Sequence, residues 1–156
     1  MREVPRGQVL KIKLEVDTDP SPGFSSHTKY LLQPIPFAVR THVLPDRLAG
    51  KMHPTLCRKW KNRVKGRDGY DFVWYVTNHP ELHLLHLEER IRQSGHWKSD
   101  RSLSPQSFQA LLDKAITGLN VEQARREVEP FVRNPEALTL GSHDFFRDVA
   151  ARIQLI

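Results

Sequence analysis

At Pro45 the apolar residues change their period, and this switch constrains the fold more than any other feature of the chain. Upstream, "QVLKIKLEVD" alternates: Leu10, Ile12, Leu14 and Val16 fall on one face, Lys11, Lys13, Glu15 and Asp17 on the other. That is the pattern of a half-buried strand. "TDPSPGFSS" reads as a loop, and "TKYLLQPIPFAVRTHVL" as one or two strands interrupted by Pro34 and Pro36. From Pro45 onward the spacing is helical. A helix opens at Pro45 or Asp46, Pro54 is expected to kink or restart it, and "KGRDG" reads as a break. Asp68 then caps "GYDFVWYVTN". A strong helix is predicted over "PELHLLHLEERIRQSG", starting at Pro80, with Leu84, Leu87 and Ile91 at helical spacing and Gly95 just past its end. Ser104, Asn120 and Ser142 are placed to cap three more, the middle one burying Val121, Ala124 and Val128 and stopping near Pro130. Two or three strands before about six helices is an α+β order. So small a sheet leaves edges and a face uncovered. The expectation is that a partner, or a second copy of the chain, covers it.

The length, 156 residues, and a composition 38% hydrophobic and 27% charged suit one ordinary domain with a real core. No apolar run reaches the length of a membrane span, and the first residues show no secretory signal. The single cysteine, Cys57, makes no internal disulfide, so a reducing cytoplasm is the simplest setting. The net charge of +6 is unevenly spread. Arg47, Lys51, Arg58, Lys59, Lys61, Arg63, Lys65 and Arg67 succeed one another with no acid between them, and Asp68 and Asp71 end the run. Such clustering suits a polyanion.

Several sets of residues can carry chemistry. Glu15 and Asp17 share the polar face of the first predicted strand. They can hold a divalent metal through oxygen or pair with lysines such as Lys13, and the pattern alone favours pairing. Lys51, Thr55, Arg58 and Asn62 lie along one predicted helix face, fit for a triphosphate or a nucleic-acid backbone, or simply for water. Trp60 among these cations can stack on a base or anchor the core. Asp68 and Asp71 stand a turn apart. One caps the helix, and Asp71 can point back to Lys51 or Arg67. His79, His83 and His86, at helical spacing, can form a metal face, yet they sit among leucines with no acid evidently oriented for them. His53 and Cys57 make a weaker pair of the same kind.

The basic stretch and its acids resemble a known family. "LAGKMHPTLCRKWKNRVKGRDGYDFVWYV" is similar to the lysine–arginine–RD-x-YD signature of the AbiEii/AbiGii toxin family of nucleotidyltransferases. "LKIKLEVDTDPSPGF" resembles the strand and loop that carry the family's third carboxylate, and "ELHLLHLEERIRQSGHW" with the helices after it fits its C-terminal helical region. The resemblance implies a polymerase-β-type fold and a toxin of a bacterial toxin–antitoxin pair, some members acting in phage defence. It implies transfer of a nucleotide from an NTP to an acceptor, tRNA in the best understood relatives, with Mg²⁺. By it, Glu15, Lys51, Asp68 and Asp71 are catalytic, and Lys51, Arg58 and Arg67 bind the nucleotide. Glu15 with Asp17 holds metal, and Arg58, Lys59, Lys61, Arg63 and Lys65 hold the acceptor.

The family also places Gly-Ser and two acids, two residues apart, before the third-carboxylate strand, and Met1 lies too near Glu15 to admit them. Pro54 and Gly69 stand where the family more often has a helix former and an aromatic. The expected arrangement is therefore a truncated nucleotidyltransferase sheet, the second half of the core over residues 1–78, with a helical bundle after it over 79–156. Its first half would be encoded elsewhere, removed or lost. Three functions remain open: an incomplete transferase inactive alone, a module that binds nucleic acid or an antitoxin without catalysis, and a remnant that merely folds.

Overall fold

The change of period at Pro45 is the seam of the structure. The computed structural model describes residues 11–57, 66–132 and 141–156. Before the seam, β1 (Ser26–Leu31) and β2 (Phe37–His42) form an antiparallel hairpin, from Ser26 opposite His42 to Leu31 opposite Phe37. Pro34 and Pro36 lie in its turn. Among the described residues neither strand has a second neighbour, and Tyr30, Leu31, Leu32, Ile35 and Phe37 face solvent. After the seam come α1 (Leu44–Cys57), α2 (Gly66–Asn78), β3 (Glu81–Leu82), α3 (Leu84–Gln93), α4 (Pro105–Thr117), α5 (Val121–Val128), α6 (His143–Ala150) and β4 (Gln154–Leu155). The α+β expectation holds, with two separate two-stranded sheets and six helices among the described residues.

The strand predicted over "QVLKIKLEVD" is a correction. Its described residues, 11–17, join no ladder, and Ile12, Leu14 and Val16 are 74%, 87% and 84% exposed. Alternation makes a strand only where an edge accepts its hydrogen bonds and a surface takes its apolar face. Among the described residues neither meets this segment.

The helical half obeys its pattern with three shifts. Pro54 does not restart α1, which runs through it. An interior proline costs about 3 kcal/mol, while Leu48 and Met52, both wholly buried, each contribute about 1.5–3 kcal/mol. Packing therefore holds the helix. Second, "KGRDG" is no break after Gly66, and Asp68 lies inside the first turn of α2 rather than before it. The glycine serves a close approach: a Cβ on Gly66 would stand 2.0 Å from the Ala124 carbonyl oxygen of α5 and 2.6 Å from Val128 Cγ2. Its N–H donates to Glu127 Oε2 at 3.2 Å. Third, α3 begins at Leu84, not Pro80, because Glu81 and Leu82 pair in parallel with Gln154 and Leu155. The Ile156 N–H donates to the Leu82 carbonyl and the Leu84 N–H to the Ile156 carbonyl, each at 3.0 Å. Gly95, at φ +75°, comes after α3 as expected. Ser104, Asn120 and Ser142 cap α4, α5 and α6, accepting from the N–H groups of Ser107, Gln123 and Phe145.

One core unites the helices: Leu48 and Met52 of α1, Phe72 and Val76 of α2, Leu87 and Ile91 of α3, Phe108 and Leu112 of α4, and Phe146 and Val149 of α6. The hairpin joins this core through a polar knot. Asp46, 2% exposed, accepts the Ser25 N–H at 2.5 Å and the His83 Nδ1–H at 2.6 Å. His86 donates from Nδ1 to the Pro22 carbonyl at 2.9 Å, and burial lowers its pKa, so the ring stays neutral. Asp46→Asn keeps the shape but leaves one acceptor oxygen where Ser25 and His83 use two, so an N–H loses its partner, and the change should cost about 2 kcal/mol. Urea unfolding checks this, and an unchanged midpoint would show that the knot contributes nothing.

Candidate active site

One of the two acids at the end of the basic run meets a lysine near its start. α1 and α2 pack through Leu48, Met52, Phe72 and Val76, and the rim of this contact carries Lys51 and Asp71. Lys51 Nζ donates to Asp71 Oδ2 at 2.7 Å, the two side chains being 42% and 24% exposed. This is the contact expected when Asp71 turns back towards the run. Three residues earlier on α2, Asp68 is buried, 8% exposed, and has partners of its own. Arg67 is exposed. Thr55, one turn beyond Lys51, donates its hydroxyl to the Lys51 carbonyl at 3.1 Å, so the Lys51–Thr55 side of α1 is polar as predicted.

Glu15 and Asp17 do not join this cluster. Glu15 pairs with Lys13, the alternative that the alternation itself favours. Asp17 Oδ1 accepts the Asp19 N–H at 3.1 Å. Both lie exposed on the irregular segment before the hairpin. No hydrogen bond or ion pair ties them to α1 or α2 among the described residues. Arg58, Lys59, Lys61, Arg63 and Lys65, with Trp60 and Asn62, lie outside the described residues.

The histidine series does not form a metal face. With α3 starting at Leu84, His79 and His83 precede the helix. The His79 ring packs on Trp74 at 5.7 Å between centroids, His83 bonds Asp46, and His86 bonds the Pro22 carbonyl. Asp46, an acid oriented towards His83, is a partner that spacing along the chain could not show, since 37 residues separate the two.

A divalent ion held by Glu15 and Asp17 needs their oxygens to converge. One is engaged by a lysine and the other by a backbone N–H, so this arrangement does not fit it. The Lys51–Asp71 pair fits a different task. It presents a cation beside a half-buried acid where two helices meet, and the cation is only loosely held. An ion pair this exposed is worth about 1 kcal/mol or less.

Comparison with curated proteins and with solved structures returned no match. No described helix is long and apolar enough to cross a membrane. The family described as "Nucleotidyl transferase AbiEii toxin, Type IV TA system" matches residues 3–151, a span that contains Lys51, Asp68 and Asp71. With nearly its whole length inside that match, the chain belongs to the AbiEii family of nucleotidyltransferase toxins of type IV toxin–antitoxin systems.

Proposed function

We propose that the rim of α1 and α2 receives the triphosphate of an NTP, and that the protein acts in nucleotide transfer to an RNA acceptor of the tRNA kind, as a phage-defence toxin of the cytoplasm. The observation that carries this reading is the 2.7 Å contact of Lys51 with Asp71. Lys51 neutralises triphosphate charge as it shifts to the leaving oxygens. Asp71 holds the ammonium in place before substrate arrives, and releasing it costs little. Arg67 adds a second cation to the nucleotide. Arg58 continues it, and Lys59, Lys61, Arg63 and Lys65 track the acceptor backbone. Among the described residues no three carboxylates gather to hold a divalent ion.

That last point favours a second reading, in which the chain binds nucleic acid or its antitoxin without transferring anything by itself. The family brings an antitoxin partner, and the exposed hairpin is the surface we assign to it. Incubation with radiolabelled NTPs and bulk tRNA separates the two. Label on tRNA supports transfer. RNA retention that falls steeply with salt, without label, supports the binding module. Neither nucleotide binding nor RNA retention would sink both.

A further inference from the structure

The strongest unassigned cluster lies on the other side of α1. Lys51 and Thr55 occupy one face, while His53 and Cys57, four residues apart, project together on nearly the opposite one. Beside them stands His96, in the turn that Gly95 opens after α3. One ligand atom from each of His53, Cys57 and His96 lies within 4.8 Å of the others. It is the only group of its kind among the described residues.

Ser94 organises the three. Its Oγ is 2.9 Å from His53 Nε2 and 3.0 Å from His96 Nδ1. It donates to the Ile91 carbonyl at 3.0 Å and also bonds the Cys57 thiol. The two rings stand edge to face, 6.5 Å apart. These contacts fix the orientation of both imidazoles.

We infer that His53, Cys57 and His96 form a zinc site that fastens the C-terminal half of α1 to the turn after α3. The donors are of the right kind, a thiolate with two imidazoles, and they leave a fourth position for water. In a tetrahedral centre with bonds of roughly 2.0–2.3 Å, ligands stand about 3.5 Å apart. Side-chain rotation of about an ångström closes the present set. Burial pushes the Cys57 thiol up to about 11, although its hydrogen bond with Ser94 pulls the other way. At neutral pH the group is therefore no free nucleophile. Zinc replaces its proton: one Zn–S and two Zn–N bonds form, and the proton goes to solvent.

The test uses untagged protein titrated with Co²⁺ and then Zn²⁺. Cys57 is the sole cysteine, so a thiolate-to-cobalt absorption band in the near ultraviolet reports this site and no other. The expected result is such a band, saturating at about one equivalent, displaced by Zn²⁺ and absent in Cys57→Ser. His96 is exposed, so His96→Ala keeps the fold and should weaken cobalt binding about tenfold or more. Zinc should raise the melting temperature of the parent chain and leave that of Cys57→Ser unmoved. No band in the parent chain, or a band of equal affinity in His96→Ala, overturns the assignment.

Discussion

Lys51→Ala should weaken nucleotide binding about ten- to hundredfold and lower transfer by about 10²–10³, while the melting temperature changes little. The two effects part because the lysine has two unequal jobs. For the fold it contributes one half-exposed ion pair with Asp71, worth about 1 kcal/mol or less in solvent, and alanine is the best helix former to replace it. In the proposed site it supplies a cation that meets charge developing on phosphate oxygens, where a preorganised donor counts for far more. Isothermal titration with a non-hydrolysable NTP measures the first loss and label on tRNA the second. Equal affinity and equal turnover in the variant would remove Lys51 from the site.

Gly66→Ala should do the reverse and strike the fold first. The added methyl would fall 2.0 Å from the Ala124 carbonyl oxygen, which is backbone and has no rotamer to escape into. α2 and α5 must separate, and overpacking of this sort costs about 3 kcal/mol. For a chain of this size that lowers the melting temperature by roughly 6–12 °C. Because α2 also carries Asp68 and Asp71, nucleotide binding should fall with it. Calorimetry on the two proteins settles the point. A variant melting with the parent would mean that the helices are not in contact at that glycine.

What the chain discloses before it is folded, and what it hides, divides along the range of the forces. Caps at Ser104, Asn120 and Ser142 are set by hydrogen bonds reaching three residues, and a local pattern reads them correctly. The turn of Asp71 towards Lys51 spans 20 residues. It is legible because two helices and a family signature place both ends. The pairing of Glu81 and Leu82 with the last strand spans more than 70 residues, and no local rule announces it. The same blindness moves the start of α3 and dissolves the histidine face. "QVLKIKLEVD" shows the opposite error, a clear period with no neighbour among the described residues to honour it. Gly66 misleads for a third reason: glycine marks both turns and tight helix contacts, and only the opposing helix distinguishes them.

The knot at Asp46 has a mechanical consequence. The hairpin grips the helices at its root, through Ser25 and Pro22 on one leg and the direct run from Val43 into α1 on the other. At 1.5 Å per residue, Lys51 is about 7.5 Å further along the same rod than Asp46. A tug on the strands thus arrives at the first turn of the rod that bears the lysine, with no compliant linker to absorb it. Whatever seizes the hairpin holds a lever on the cation.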